Sequence, residues 1–294
     1  MTVSVLVPSS LARESNDKRE ATRKVGYVAR AATVFRVDRI TVYPDTEGEK
    51  QYGDGFVETV LRYAATPPHL RKEAWGTRDE LEYAGVLPPL RVVTQTGSGS
   101  EGSGSLRQGI VTEVGADGRV RVNCGLQHPV SLPVPSGMDE LVEGERVSVR
   151  VSSREPVRAK LVDEPHPGYV VDTADLDTAL ARNDAGFTIA SSRYGERLRP
   201  DRLHELADST STAGVGDGDG NRTGVERAYT VAFGAPERGL PAILGIEPGV
   251  VREDDYDETG RFDLWLNTIP NQGSEVVRTE EAMFATLACL NLME

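Results

Sequence analysis

The chain is poor in cysteine, lysine and long apolar runs, and each shortage excludes something. Only Cys124 and Cys289 occur in 294 residues, far apart and in no ligand-like spacing. That rules out a disulfide framework, argues against a structural metal, and fits two reduced thiols in or near a core. No stretch approaches the run of about twenty apolar residues that a membrane span requires. Met1-Thr-Val-Ser-Val-Leu-Val7 has no basic region ahead of its apolar residues, so it reads as a first strand rather than a signal peptide. These absences predict a soluble, cytoplasmic protein with no membrane and no metal partner. Lysine is the scarcest charge, with 5 among 33 basic residues against 46 acidic ones, for a net charge of −13. An acidic surface of this size disfavours a polyanion partner in dilute salt. An acid-rich, lysine-poor surface is also what a halophilic protein needs, because in molar salt the Debye length is about 3 Å and self-repulsion is screened. Arginine is then kept where planar, bidentate contacts matter. The other reading is an ordinary acidic protein that binds no polyanion.

What is present begins with a βαβ pattern. Val3–Val7 is a short apolar strand ended by Pro8, and a helix is predicted over 16–35. Its apolar stripe is Ala21, Val25, Val28, Ala32 and Phe35, with Arg23, Tyr27 and Arg30 on the neighbouring stripe. Arg39–Tyr43 is a second strand, so a parallel sheet is the simplest arrangement. A second helix is predicted over 55–65, with Phe56, Val60, Tyr63 and Ala64 inward. Thr94–Ser105 has the composition of a flexible linker.

After that linker the apolar period changes to two. Gly109–Val114, Arg119–Val122, Val130–Val134, Arg146–Val151 and Arg158–Val162 give five short strands, the pattern of a small OB-like barrel. Their solvent-side alternates include Arg119, Arg121, Arg146, Arg150 and Arg158, the most basic patch of the chain. The α/β pattern resumes at Tyr169, with a capped helix over 172–181, a strand at Phe187–Ala190, strands at Tyr229–Phe233 and Phe262–Leu266, and a closing helix over 280–292. Asp208–Gly224 is polar; its Asp217-Gly-Asp-Gly-Asn221 lacks the Gly and Glu of a calcium loop and reads as a disordered acidic insertion.

Two segments about thirty-five residues apart carry the chemistry: Phe233-Gly-Ala-Pro-Glu-Arg-Gly-Leu240 and Asn267-Thr-Ile-Pro-Asn-Gln-Gly273. Each follows an apolar run and precedes a predicted helix. Gly and Pro in such corners remove side-chain bulk or fix the turn, which leaves backbone N–H and C=O groups open to a small ligand.

This pair resembles the last two motifs of the SPOUT family of RNA methyltransferases. Val5-Leu-Val-Pro-Ser-Ser-Leu11, Thr66-Pro-Pro-His-Leu-Arg-Lys72, Tyr83-Ala-Gly-Val-Leu-Pro-Pro-Leu90 and Val277-Arg-Thr-Glu-Glu281 extend the likeness over nearly the whole chain. The matching branch is the archaeal and eukaryotic one, in which an OB-like domain interrupts the methyltransferase fold. The resemblance implies an α/β SPOUT fold with a C-terminal trefoil knot, formed by residues 1–93 and 165–294, with a barrel inserted at 106–163. It implies S-adenosylmethionine held by Gly234, Pro236, Glu237, Gly239 and Leu240 on one wall and Ile269, Pro270, Asn271, Gln272 and Gly273 on the other. Ile189-Ala-Ser-Ser192 either adds hydroxyls to this site or is a plain strand end.

Lys24-Val-Gly-Tyr-Val-Ala-Arg30 is similar to the family's first motif. Arg30 is then a catalytic candidate that stabilises negative charge on the nucleophile, in the partner subunit's site of a homodimer. Glu237 is the other catalytic candidate, as a carboxylate near a uridine N3–H, unless it only holds its loop. Arg278 is expected on RNA phosphate and Glu281 in fixing the knot. His69 reads as structural or as an RNA-backbone contact rather than as a general base. Arg119, Arg121, Arg146 and Arg150 complete the expected RNA contacts. Nothing matches a Cys nucleophile, which disfavours methylation at pyrimidine C5 through a covalent adduct. The reading is a methyltransferase acting on ribosomal RNA, at uridine N3. The alternatives are transfer to a ribose 2′-hydroxyl or to tRNA, a non-catalytic RNA-binding ribosome-assembly factor, and a protein-binding module.

Overall fold

The structure is a computed structural model that describes residues 2–48, 52–53, 55–90, 92, 96–97, 104–115, 117–209, 211–212, 226–247, 251 and 261–293. In chain order the elements are β1 (Thr2–Pro8), α1 (Lys18–Val34), β2 (Arg39–Tyr43), α2 (Phe56–Ala65), α3 (Arg71–Trp75), β3 (Thr96–Gly97), β4 (Gly104–Val114), β5 (Arg119–Asn123), β6 (Val130–Pro133), β7 (Arg146–Arg154) and β8 (Val157–Val162). There follow β9 (Val170–Thr173), α4 (Leu176–Leu180), β10 (Phe187–Arg197), α5 (Pro200–Ser209), β11 (Ser211–Thr212), β12 (Glu226–Ala232), α6 (Leu240–Leu244), β13 (Leu264–Asn267) and α7 (Thr279–Leu290). Most of the expected linker Thr94–Ser105 and of the expected insertion Asp208–Gly224 lies outside the described residues.

The chain divides into two compact units. One contains Met1–Arg62, Glu80–Leu90 and Tyr169–Glu294; the other contains Tyr63–Asp79 and Arg91–Gly168. In the first, six parallel strands run in the order β13-β10-β12-β1-β2-β9, and β11 adds an antiparallel pairing to β12. Val3–Pro8 of β1 is buried along its whole length, as expected of a parallel strand covered on both faces. Leu6, Tyr43, Ala190, Ala232 and Trp265 from the sheet form one core with Leu176 and Ala179 of α4 and Leu240 of α6. Helix α1 packs on α7, with Phe35 and Phe284 edge-on at 6.1 Å. It begins at Lys18 because the Asp17 carboxylate takes the N-cap, accepting from the Glu20 N–H at 2.7 Å.

Two boundaries differ from the sequence reading. Asp172 does not cap a helix; it is a β9 residue whose carboxylate pairs with Arg39 at 2.8 Å and Arg182 at 3.1 Å. Burial opposes its ionisation, but hydrogen bonds from Thr41 and Arg39 and the charges of Arg182 and Arg39 leave it more acidic than an ordinary Asp. Helix α4 starts four residues later, with Asp175 at its N-cap position. Helix α5 was not anticipated, although Pro200 suits a first helical turn and Leu206 is fully buried.

The second unit is a nearly closed, barrel-like antiparallel sheet in the order β6-β5-β4-β7-β8, with β3 paired to β4. Val111, Val120, Val122, Leu132, Val147, Val149, Val151 and Leu161 alternate inward around Cys124, which is fully buried. The strands β6 and β8, at the two ends of the order, lie alongside one another. Segment 63–79 belongs to this unit. There His69 Nε2 is 3.2 Å from the Gln108 carbonyl, and Asn123 Nδ2 donates to Glu73 at 3.0 Å.

Candidate functional site

Parallel pairing puts the carboxyl ends of β10, β12 and β13 on one edge of the sheet, where ligands of open α/β sheets bind. Two loops and a bulge of β10 at that edge line a cleft of about 490 Å³, within the range of small-molecule sites.

The first loop follows β12. Phe233 is buried, and its carbonyl accepts a 2.5 Å hydrogen bond from the Tyr43 hydroxyl. Burial, with the Asp45 charge as a lesser cause, holds that phenol well above the usual tyrosine range, so it stays a donor. Gly234 is required by contact: a Cβ there would lie 2.3 Å from the Leu240 nitrogen and 2.7 Å from the Gly239 carbonyl carbon. The loop is clamped beyond it by Arg238, whose guanidinium lies 3.4 Å from Asp45 and 2.9 Å from Glu47. Between these fixed points Glu237 has φ of 62°, a left-handed conformation disfavoured for a residue with a Cβ. Glu237 is exposed at the cleft wall.

The second loop follows β13. Asn267 Oδ1 accepts from the Ile269 N–H at 3.0 Å and turns the chain. Its Nδ2 donates to the Arg193 carbonyl at 2.9 Å, tying this loop to β10. Gln272 Nε2 donates to the Ser274 carbonyl at 2.9 Å. Where α7 starts, the Thr279 hydroxyl donates to the Gly234 carbonyl at 2.8 Å, which joins the two corners. Glu281 accepts from the Arg278 N–H at 2.9 Å and so caps α7.

The third wall contains Ser191 and Ser192, so of the two readings of Ile189–Ser192 the one that brings hydroxyls to the site agrees with the structure, whereas Arg193 and Tyr194 were not read from the sequence. Strand β10 does not stop at Ala190. Both Ser191 and Glu196 register with Leu266, so the residues between them bulge out of the sheet. The bulge carries Ser192, Arg193 and Tyr194 to the cleft, with Arg193 stacked 4.8 Å from the centre of the Tyr194 ring. It needs Gly195, because a Cβ there would lie 2.6 Å from the Leu266 nitrogen. That lone glycine in a strand pattern was the available signal.

Of the residues expected to hold a cofactor, Gly234, Glu237, Gly239, Leu240, Ile269 and Gln272 line the cleft, and Ser191 and Ser192 join them. Pro236, Pro270, Asn271 and Gly273 belong to the same loops but are not in its lining. Gly239 and Gly273 have no steric reason to be glycine. The nearest atom to a Cβ at 239 is Pro241 Cδ at 3.7 Å, none lies within 4 Å at 273, and neither has a positive φ. Arg30 does not line the cleft; its guanidinium donates to the Leu90 and Pro89 carbonyls at 3.0 and 3.3 Å. Arg278 lies 3.9 Å from Glu14.

The arginines of the barrel unit fall in separate places. Arg119 and Arg150 line a groove of about 530 Å³ between β6 and β8, together with Arg158 and Lys160. Arg119 donates to the Ser131 carbonyl at 2.8 Å, and Arg150 is paired with Glu164. Arg121 pairs with Glu113 at 3.3 Å, and Arg146 donates to the Thr66 hydroxyl at 3.0 Å. Among the described residues no group of acidic, His and Cys side chains is placed to hold a metal ion, and no helix is long and apolar enough to cross a membrane.

A family described as "Putative RNA methyltransferase" matches residues 2–290 of the chain. The chain is 70% identical over 295 residues to an uncharacterized protein of Haloarcula marismortui, covering 100% of both. It is 64% identical over 299 residues to an uncharacterized protein of Halobacterium salinarum, again covering 100% of both. A 28S rRNA (uridine-N(3))-methyltransferase of Mus musculus is 28% identical over 310 residues, which cover 98% of this chain and 76% of the mouse protein.

Proposed function

From the premise that this chain belongs to the RNA methyltransferase family matched over residues 2–290, we propose that it transfers a methyl group from S-adenosylmethionine to N3 of a uridine in ribosomal RNA. The observation that carries this reading is the cleft at the carboxyl ends of β10, β12 and β13, closed by the loops after Phe233 and Asn267. The atom and the RNA class follow the eukaryotic relative, whose name gives uridine N3 of 28S rRNA. A SPOUT fold with a C-terminal knot is part of the proposal. It is supported by the pairing of β13 with β10 rather than with β12, and by the Thr279 bond to Gly234.

The residues present fit the cofactor. Open space beside the backbone of Gly239 and Gly273 leaves room for close approach of a ligand. Leu240, Ile246, Ile269 and Val277 offer apolar faces to an adenine ring, and Glu237 and Glu275 offer negative charge to a cationic ligand. Pro236, Pro270 and Asn271 shape these loops, and Gln272 holds the second one. When bound, the cofactor supplies an electrophilic methyl group on a sulfonium.

Methylation at N3 requires the uracil N3–H to lose its proton, and of the two carboxylates in the cleft lining, Glu237 and Glu275, Glu237 is the acceptor in this reading. Arg30 stabilises the resulting anion from the second subunit of a homodimer, which accounts for its place outside the cleft of its own subunit. Arg119 and Arg150 at the barrel groove, with Arg121, Arg146 and Arg278, contact RNA phosphate. The acidic, lysine-poor surface suits a cytoplasm of high salt.

The experiment is methyl transfer from labelled S-adenosylmethionine to RNA from a strain lacking the gene, at high and low KCl, followed by digestion to nucleosides. Label in 3-methyluridine of ribosomal RNA is expected. Label in 2′-O-methyl nucleosides or in tRNA would replace the proposed target, and absence of cofactor binding would leave an RNA-binding assembly factor.

A further inference from the structure

The barrel unit holds a cluster in which two rings lie between two cations. The Arg71 guanidinium lies 4.7 Å from the centre of the Tyr63 ring. Tyr63 meets Trp75 edge-on at 6.0 Å, and the Arg78 guanidinium lies 5.4 Å from the Trp75 ring centre. The inner members are fixed. Arg71 Nε donates to the Thr66 carbonyl at 3.0 Å. The Trp75 indole N–H donates at 2.9 Å to the Thr66 hydroxyl, which also accepts from Arg146 at 3.0 Å. The outer end is open. Arg78 is exposed and makes no ion pair among the described residues, and Lys72 on the same short segment is exposed too. The nearby Glu73 carboxylate is held by Asn123.

We propose that this face binds an unpaired nucleotide of single-stranded RNA, its base stacked on the Arg78–Trp75 end and its phosphate beside Arg78 and Lys72. An acidic protein that leaves a planar cation unpaired on an indole has the two parts of a single-strand platform: a ring system that accepts any base and a positive charge for the backbone. An acidic peptide would need only the charge; the rigid stack favours a flat ligand. The inference rests on the chain's reading as an RNA methyltransferase, but it concerns binding and is tested by binding.

The probe is a short oligouridylate, titrated into the full chain by tryptophan fluorescence and by filter binding across KCl concentrations. The two tryptophans are distinguishable, because Trp265 is 8% exposed in the core of the other unit. Quenching that disappears in Trp75→Phe, with affinity largely retained, locates the base on this ring. Trp75→Ala is expected to weaken binding about tenfold to a hundredfold. Arg78→Gln, a change at an exposed position, is expected to weaken it about fivefold and to lower the salt slope by about 1. Both variants should bind S-adenosylmethionine as the unaltered protein does. Unchanged oligouridylate affinity in Arg78→Gln and Trp75→Ala would overturn the proposal and leave the stack as a structural or protein-docking feature. Failure of methyl transfer with these binding effects intact would count against the enzymatic reading alone.

Discussion

Two glycines of one loop should respond oppositely to alanine, and the contrast tests whether the cleft is a ligand site. At Gly234 a Cβ would stand 2.3, 2.7 and 2.9 Å from the Leu240 nitrogen, the Gly239 carbonyl carbon and the Gly239 Cα. All three are backbone atoms, so relief to an ordinary contact of about 3.5 Å requires moving the start of α6 by about 1 Å. Overpacking of this kind costs about 1–3 kcal/mol, a fall in Tm of roughly 3–10 °C for a unit of this size. The same shift displaces the Leu240 wall of the cleft, so cofactor binding should fall with stability. At Gly239 the nearest atom is 3.7 Å away and φ is −60°, which suits any residue. Gly239→Ala should therefore leave Tm unchanged, or raise it slightly by restricting the unfolded chain. The added methyl nevertheless occupies open space at the cleft wall, and one misplaced carbon in a pocket is worth about 1–3 kcal/mol. Affinity for S-adenosylmethionine should drop about tenfold or more. The assays are calorimetric titration of the cofactor and thermal unfolding of both variants. Unaltered cofactor affinity in Gly239→Ala, with normal folding, would refute the assignment of this wall.

Tyr43→Phe removes the donor to the buried Phe233 carbonyl and should cost about 1 kcal/mol, read as a lower Tm with weaker cofactor binding. Glu280 is 6% exposed, and its Oε2 has no hydrogen-bond partner among the described residues. Burial, and to a lesser extent the Glu14 charge, hold its pKa above the usual carboxylate range. The charged form is therefore a burden above that raised pKa, and Glu280→Gln should raise Tm at neutral pH. His166 titrates below its ordinary value of about 6.5 because it is half-buried and lies near Arg146. The unfolded chain takes up that proton first, so stability from this site is present above about pH 6.5 and is lost as pH falls below it. Denaturant titrations of His166→Asn between pH 5 and 8 (a span of about three units around that value) should show a shallower dependence than the unaltered chain.

Much of the architecture was legible because it rests on local patterning. The α1 stripe of Ala21, Val25, Val28 and Ala32 is fully buried, and the five alternating strands of the barrel unit each appear within a few residues of their expected positions. Asp172 was misread because an acidic residue before an apolar run looks like a cap; its partners Arg39 and Arg182 are neighbours only once β2 and β9 pair. The two Gly- and Pro-containing corners were legible for the same local reason: their loop chemistry is written in consecutive residues. The bulge that brings Arg193 and Tyr194 to the cleft was not, because it arises from two β10 residues competing for one position opposite Leu266. The barrel arginines share a sequence period yet part company in space, since the facing strand β4 offers Glu113 to Arg121 while Thr66, just past α2, accepts from Arg146. The Arg71–Tyr63–Trp75–Arg78 stack was likewise beyond a one-dimensional reading, because its rings come from the end of α2 and from α3. Periodicity and turn chemistry, which act between neighbours along the chain, determined the strands, helices and corner loops. Sheet order, register and the partners of each charge, which depend on the packing of distant segments, were decided only by the tertiary structure.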